Sequence, residues 1–577
     1  MKNITSAPLR LCAIILFALL PSAFILSAAK PPNFVIVYAD DLGYADTSVQ
    51  MMDADPSTKH KFIQTPGLER LAEIGGRFTA GYSPTPTCTG SRMSIQLGKS
   101  SAAVQYRNVN DVLAKYQRPE GWDNEVTMAQ MLKDANLNYK TAFFGKGASN
   151  LGRFEDRGYD ITDEIPGQVG GNGNEHGQYW DTKKKTPFPP DNPKRLHSLR
   201  KHSVDFINEY AGKQPFFVMV SHYAAHIPFA CTREAFERNK KRWIEMGFDT
   251  DGMEDVPGDY IHKPSGNANA DIAYAAMVEE MDMTVVDIIK ALEKKGELDN
   301  TYIIFTSDNG GGKAELRKVN GENRRFNGPL QEGKRSIFEG GIRVPTLISG
   351  PGIKPGSEVS VPIVQYDFLA TMHDLSGSKT PLPEGVDGGS LRDVFYKGNS
   401  GKVKRVSPGI LHHYPCHYHP PISSIIIGDY KLMRHLNSGE IRLYNIKDDY
   451  REENNLAESM PEKVASMDKL RQDYVDKVDG GSADDVREAQ FKEQDEGAEQ
   501  SKRIYKNKLA ALKKQNAPDF EAQKAKLLKE LNAKLMKNEI NKEKGRRHAQ
   551  LHSWRGYVDK NAAEAHVNAN WVDYTGE

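Results

Sequence analysis

Cysteine is scarce: the 577 residues contain four, and one of them, Cys12, falls in an N-terminal segment expected to be removed. The three that remain, Cys88, Cys231 and Cys416, are an odd number, which excludes a disulfide framework as the source of stability. Excess charge of either sign is also missing, since 77 Lys and Arg balance 77 Asp and Glu. Loss of Lys2 and Arg10 with the N-terminal segment leaves 75 against 77, about −2. Bulk electrostatics therefore single out no partner, and neither nucleic acid nor a charged membrane is expected. Beyond the first thirty residues no apolar run approaches the roughly 20 residues of a spanning helix, which excludes a membrane span in the mature chain.

The N-terminus itself is distinctive. Lys2 and Arg10 precede an apolar run from Leu11 to Leu26, broken by Pro21 and Ser22, and Ser27-Ala28-Ala29 follows. This pattern predicts a signal peptide over residues 1–29, cleaved after Ala29, and an exported protein, periplasmic or secreted. The length exceeds what one core organises. A large domain over 30–399, a smaller one over 400–475 and a charged helical extension over 476–577 are expected.

Four apolar runs end abruptly in polar groups: NFVIVYA at Asp40-Asp41, YKTAFF at Gly145-Lys146, PFFVMV at Ser221-His222 with His226 beyond, and TYIIFTS at Asp308-Asn309. Continuous apolar runs suit strands buried on both faces. Helical spacing lies between them, over Thr65 to Ile74 and over Asp271 to Lys295. Strands alternating with helices predict an α/β fold with a large, mostly parallel sheet flanked by helices. In such sheets ligands bind beyond the carboxyl ends of the strands, where these polar groups fall.

After residue 400 the runs SSIIIGDYKLMRH and IRLYNI, separated by a turn at Asn437 to Glu440, predict a smaller antiparallel sheet. Beyond residue 476 an acidic stretch near Asp484 to Glu499 precedes a basic one to Arg547, with Pro518 dividing two helices. Leu528, Leu531 and Leu535 form one narrow apolar stripe. The extension reads as solvated, with docking on the main domain or binding of acidic polymers as alternatives.

Asp40, Asp41, Asp308 and Asn309 are hard oxygen donors suited to Ca²⁺ or Mg²⁺. Cys88 lies in the polar, turn-rich segment SPTPTCTGSRMSIQLG, four residues before Arg92. His412, His413, His417 and His419 read as lining a substrate pocket, with loop capping or a second metal site as alternatives.

With NFVIVYADDLGYAD, CTGSRMSIQLGKS, TAFFGKG, YAAHIPF, IFTSDNGG, GKRSIFEGGIRVP and IRLYNIKDDYREENNLA in this order, residues 31 to 460 resemble a type I sulfatase of the alkaline phosphatase superfamily. The resemblance implies that Cys88 is converted to formylglycine by a formylglycine-generating enzyme, and that its hydrate attacks sulfur. It implies a divalent metal, Ca²⁺ or Mg²⁺, held by Asp40, Asp41, Asp308, Asn309 and residue 88. By the same resemblance Lys146 and Lys334 hold sulfate oxygens, His226 gives a proton to the leaving alcohol and Arg92 steadies the formylglycine. The implied substrate is a sulfated carbohydrate or an aryl sulfate. Two positions depart from the family pattern. Gly90 stands where Pro or Ala is usual, and Lys-Gly-Ala-Ser-Asn-Leu-Gly replaces Lys-Trp-His-Leu-Gly after Lys146, so that the histidine's place falls to Asn150 as the residue before Leu-Gly, or to Ala148 by strict spacing from Lys146. A phosphate diester or phosphonate ester hydrolase and a catalytically silent binder of sulfated glycans are the competing functions.

Overall fold

The computed structural model describes residues 30–106, 124–148, 151–163, 191–250, 253, 261–262, 268–312, 316–319, 322–324, 327–416, 419–515, 519–555 and 559–575. The expected signal peptide, Asn150, His417 and Pro518 lie outside the described residues.

Eight strands form the large sheet: β1 (Asn33–Ala39), β2 (Gly76–Phe78), β3 (Lys140–Gly145), β4 (Ile161–Thr162), β5 (Phe216–Ser221), β6 (Thr301–Ser307), β7 (Leu347–Ser349) and β8 (Ser357–Val359). Their order is β8-β2-β7-β6-β1-β5-β3-β4. The four apolar runs are thus the four adjacent strands β6, β1, β5 and β3, all parallel. Within this sheet only β7 runs the other way, pairing antiparallel with β6 and β2. Alternation along β1 explains its unbroken hydrophobicity. Phe34, Ile36 and Tyr38 enter one apolar cluster, while Val35, Val37 and Ala39 enter another on the opposite face. Neither face meets water, so the strand carries only apolar and aromatic side chains after Asn33 at its start.

The helices that cover these faces are α1 (Pro66–Ile74), α2 (Cys88–Leu97), α3 (Leu196–Tyr210), α4 (Ala268–Lys295) and α5 (Asp367–Leu375). Side chains of α2 and α5 join the first cluster, and those of α1, α3 and α4 the second. Pro66 at the first turn of α1 has its fixed φ and missing N–H where a helix start tolerates both. The next two amides, of Gly67 and Leu68, donate to the Asp282 carboxylate of α4 at 2.7 and 2.8 Å. One helix is thereby capped by another.

The smaller sheet contains β9 (Ile410–Tyr414), β10 (Ile422–Ile427), β11 (Tyr430–His435) and β12 (Ile441–Asn445), antiparallel in sequence order. Leu411, Ile425, Leu432 and Leu443 pack on α6 (Pro461–Lys477), whereas Ile410, Ile422, Ile426 and Met433 belong to the core of the large domain. A buried ionic network reinforces that junction: Lys431 reaches Glu339 at 2.9 Å and Glu452 at 2.8 Å, and Arg343 reaches Glu339 at 3.2 Å. Because α6 ends at Lys477, it crosses the division expected at residue 475.

The extension is α7 (Ala483–Lys514), α8 (Phe520–Ala549) and α9 (Lys560–Asn570). A capping box starts α7, the Asp485 amide donating to the Ser482 hydroxyl at 3.1 Å and the Ser482 amide to the Asp485 carboxylate at 2.6 Å. Helices α7 and α8 pair antiparallel through Asn538 and Gln494 at 3.1 Å and Gln490 and Asn541 at 3.2 Å. Leu531 and Leu535 pack on Tyr505. The base of this hairpin is docked rather than solvated. His548 Nε2 donates to the His419 carbonyl at 2.7 Å, and the Asn437 amide donates to the His548 carbonyl at 2.8 Å. Trp554, 5% exposed, lies edge-on to Phe338 and His435 under the Arg442 guanidinium. Among the described residues, no helix is long and apolar enough to cross a membrane.

Candidate active site

Parallel strands deliver their carboxyl ends to one rim. Here β1 delivers Asp40 and Asp41, β6 delivers Asp308 and Asn309, β3 delivers Lys146 and β5 ends in Ser221. Backbone bonds fix the rim: the Asp308 amide donates to Ala39 at 3.1 Å, the Lys146 amide to Ser221 at 2.8 Å and the His222 amide to Tyr38 at 2.8 Å. Asp41 adopts the left-handed conformation, φ 60°, and its amide donates to Asp308 Oδ1 at 3.1 Å. Gly145, φ 100°, precedes Lys146, and a Cβ there would lie 2.0 Å from the Ser221 carbonyl oxygen. Only glycine lets the two strand ends approach so closely.

Helix α2 begins at Cys88, whose Sγ lies with one oxygen each of Asp40 and Asp308 in a group spanning no more than 4.8 Å. One turn later Arg92 reaches under the rim. Its Nε donates to Asp308 Oδ2 at 2.9 Å and one terminal nitrogen to the Lys146 carbonyl at 2.8 Å, with the Ser221 hydroxyl as a further partner. The guanidinium also lies 5.1 Å from the Tyr38 ring centroid. A single side chain thereby binds the ends of β6, β3 and β5. The turn before α2 is held by the Ser91 hydroxyl, which donates to the Thr85 carbonyl at 3.0 Å, and by Thr87 and Tyr106, whose hydroxyls are 2.8 Å apart.

Lys146 Nζ donates to Asp40 Oδ2 at 2.5 Å, and Lys334 Nζ to Asp41 Oδ2 at 2.7 Å. The Lys334 loop is placed by its own amide, donating to Gly311 at 2.8 Å, and by the Arg335 amide, donating to Pro86 at 2.7 Å. His226 turns Nε2 toward Asp41, 3.6 Å away, while Nδ1 contacts the Ile227 carbonyl at 2.6 Å. That second contact assigns the Nδ1–H tautomer.

Burial shapes the titration of these groups. It would raise Asp40, but Lys146, Arg92 and Lys334 outweigh it and hold that carboxyl well below the usual range. Asp41 is also lowered, its burial outweighed chiefly by Lys334. Burial pushes Asp308 up, reinforced by Asp40 and Asp41 and opposed by Arg92. Burial lowers His226 to about 4, so its imidazole is neutral near neutral pH.

A hard divalent cation fits this donor set. Asp40 Oδ1 and Asn309 Oδ1 are buried and accept no hydrogen bond, an expensive state for a polar oxygen unless something else binds it. Burial, reinforced by Asp40 and Asp41, pushes Asp308 up, and a cation bound beside it would favour its charged form.

The nine residues expected at the centre, Asp40, Asp41, Cys88, Arg92, Lys146, His226, Asp308, Asn309 and Lys334, converge here. His412 and His413, expected to line the same opening, do not reach it. His412 is fully buried in β9, its Nε2 contacting the Ser83 carbonyl at 3.0 Å and its Nδ1 contacting Ser424. His413 is buried too, between the Ser423 hydroxyl at 3.0 Å and the Gly481 carbonyl at 2.9 Å. Both sit on a strand with no solvent face, so they brace the Ser83 turn and the start of the extension instead of meeting a ligand. His419 offers its carbonyl to His548.

Lys194 has no counterpart in the sequence reading. Fully buried, it donates to the carbonyls of His226 at 2.6 Å and Pro228 at 3.2 Å, fixing the loop that carries His226. It lies on a short helical turn far from any strand end, and no sequence signal marks it. Ser221, by contrast, sits where the strand-end rule looks.

The sulfatase family model matches residues 32–378, more than half of the chain, and the model for the C-terminal part of N-sulphoglucosamine sulphohydrolase matches residues 331–478. Among curated relatives, a sulfatase of Formosa agariphila is 25% identical over 79% of this chain and 91% of its own length. The N-acetylgalactosamine-6-sulfatase of Mus musculus is 27% identical over 64% of this chain and 67% of its own length. The fold is shared with the crystal structure of Ps i-CgsB in complex with k-i-k-neocarrahexaose, with a TM-score of 0.60, 24% identity, and coverage of 77% of this chain and 93% of that one. It is likewise shared with BT4656 in complex with D-glucosamine-2-N,6-O-disulfate, with a TM-score of 0.53, 20% identity, and coverage of 79% and 99%. The chain therefore belongs to the sulfatase family of the alkaline phosphatase superfamily and is a sulfuric ester hydrolase.

Proposed function

We propose that this protein is an exported, formylglycine-dependent sulfatase that removes sulfate from a sulfated carbohydrate, using Ca²⁺ or Mg²⁺ held by Asp40, Asp41, Asp308 and Asn309. One observation carries the reading: Cys88 opens a helix against Asp40 and Asp308, with Arg92 one turn behind it. The carbohydrate substrate rests on relatives and fold neighbours whose names and bound ligands are sulfated sugars. Export rests on the N-terminal pattern ending at Ala29.

Converted to formylglycine and hydrated, residue 88 supplies the hydroxyl that attacks sulfur, and the cation supplies the charge that lowers that hydroxyl's proton affinity. The protein's own groups do the rest. Lys146 and Lys334 stand on two sides of the carboxylates, so their ammonium groups are placed to receive sulfate oxygens as charge moves onto them. Transfer breaks the sulfur–oxygen ester bond, and the leaving oxygen needs one proton. His226 Nε2, the ring nitrogen turned into the site, is unprotonated in the Nδ1–H tautomer, so it takes up the proton that the attacking hydroxyl loses and passes it to the leaving oxygen. Arg92 keeps the Asp308 carboxylate and the Lys146 backbone in register while this happens.

The test is mass spectrometry of the peptide containing residue 88, from protein made by its native host. The aldehyde mass is expected, and unmodified thiol throughout would overturn the formylglycine mechanism. The silent-binder alternative draws on Ala148, buried where the family pattern has a histidine. Release of inorganic sulfate from a sulfated oligosaccharide is expected and would exclude it.

A further inference from the structure

The antiparallel pairing of α7 and α8 sorts the charges of the extension. In the half nearest the body, residues 483–499 and 535–549 contain nine acidic and seven basic residues. These charges neutralise one another across and along the hairpin: Lys542 pairs with Asp495, Arg546 with Glu539 at 2.8 Å and Arg547 with Glu543 at 3.0 Å. The distal half is different. Residues 500–534 contain ten Lys and Arg against three acidic residues, Asp519, Glu521 and Glu530. Among the described residues, only Lys502 and Lys524 of those ten form ion pairs, with Glu499 and Glu521. Arg503, Lys506, Lys508, Lys513, Lys526 and Lys529 are exposed.

An uncompensated block of this kind costs self-repulsion, and in a chain with no net charge it is the local exception. Its rigidity is built in by the apolar contact of Tyr505 with Leu531 and Leu535, so the cations are displayed along about 20 Å of paired helix. The base of the hairpin is joined to the catalytic rim. Arg555, which follows the buried Trp554, contacts Gln331 and lies 3.4 Å from Glu332, two residues before Lys334. The distal half lies about 25–45 Å along the hairpin from that base, a span that a polymeric ligand can bridge.

We propose that the distal half of the α7–α8 hairpin is a binding arm for a sulfated polysaccharide, holding the polymer while the centre removes its sulfate esters. This rests on the substrate reading above. Charge complementarity selects the ligand: regularly spaced sulfates match rows of exposed ammonium groups, and their counterions are released on contact. The sulfated polymer is favoured over nucleic acid because the arm belongs to a chain whose centre cleaves sulfate esters.

The test compares the full-length protein with a variant carrying Gln at positions 503, 506, 508, 513, 526 and 529. Binding to carrageenan and to heparin is measured by calorimetry at two salt concentrations, and turnover is measured separately on each polymer and on a small aryl sulfate. We expect the Gln variant to bind the polymers about tenfold more weakly with a shallower salt dependence, and to raise KM for the polymer alone. A variant with Arg at the five lysine positions should keep wild-type binding, and Lys542→Gln, in the self-neutralised half, should change nothing. Unchanged polymer binding in the Gln variant overturns the arm, as does equally tight binding of unsulfated hyaluronan or duplex DNA by the wild type. If no substrate releases sulfate yet the Gln variant still loses polymer binding, the catalytic reading fails and the arm stands. If turnover is normal and binding is unaffected, only the arm fails.

Discussion

A side chain at position 90 has nowhere to go. The Cβ of an alanine would lie 2.4 Å from the Tyr106 ring and 2.8 Å from the Thr85 methyl group. Tyr106 is itself fixed, its hydroxyl on Thr87 and its ring stacked 6.5 Å from that of Tyr414. Glycine inside a helix ordinarily costs about 1 kcal/mol relative to alanine. At this site the clash with an anchored ring outweighs that gain. Gly90→Ala is therefore expected to destabilise the protein by about 1–3 kcal/mol. In a double-mutant cycle the cost should shrink on a Tyr106→Ala background, leaving the Thr85 contact, and denaturant unfolding of the four proteins reads the coupling. The departure from Pro or Ala at this position thus has a physical partner sixteen residues away, which no local reading of the segment could find.

At the scale of elements, the docking of α8 depends on a histidine that must stay neutral. Burial lowers His548 to about 4, with Arg487 and His435 adding to the effect and the His419 carbonyl opposing it. Above pH 6.5 the folded and unfolded states are both neutral, and the contact has its full strength. Between about 6.5 and 4 the unfolded chain takes up a proton that the docked form refuses, so stability falls as pH falls, by on the order of 3 kcal/mol in total. Limited proteolysis of the extension across this range should show cleavage rising toward pH 4. A His548→Gln variant, which keeps one donor and cannot charge, should flatten that rise.

Across the whole molecule, two sheets are joined by Lys431, which holds the buried carboxylates of Glu339 and Glu452. Lys431→Met would leave Glu452 without a cation and Glu339 with Arg343 alone, a loss of about 3–5 kcal/mol. Burial, with Glu339 beside it, raises Glu452 to about 7, so a shared proton can soften the repulsion. The loss measured by denaturant unfolding should accordingly be larger at pH 8 than at pH 6.

The same scale explains what the sequence discloses. The four central strands are legible because burial on both faces forbids polar residues within them and tolerates them only at their ends, where the catalytic candidates stand. β2, β4, β7 and β8 are two or three residues long and carry no period to read. His412 and His413 misled because a polar residue at a fully buried strand position looks like one turned toward a ligand. Only their bonds to Ser83, Ser423 and Gly481 distinguish the two. The docking of the extension was hidden because it hangs on a few residues, Trp554 and His548 above all, within helices whose composition is otherwise that of a solvated surface.

Arg92 finds its partners 54, 129 and 216 residues further along the chain, at Lys146, Ser221 and Asp308. During synthesis, then, the helix turn bearing Cys88 and Arg92 emerges long before these three partners exist. At about 5–20 residues per second, 216 residues take roughly 10–40 s. For that interval residue 88 lacks the cover that leaves it 9% exposed in the finished sheet. The separation of Arg92 from Asp308 is thus also a clock, setting how long residue 88 stays uncovered.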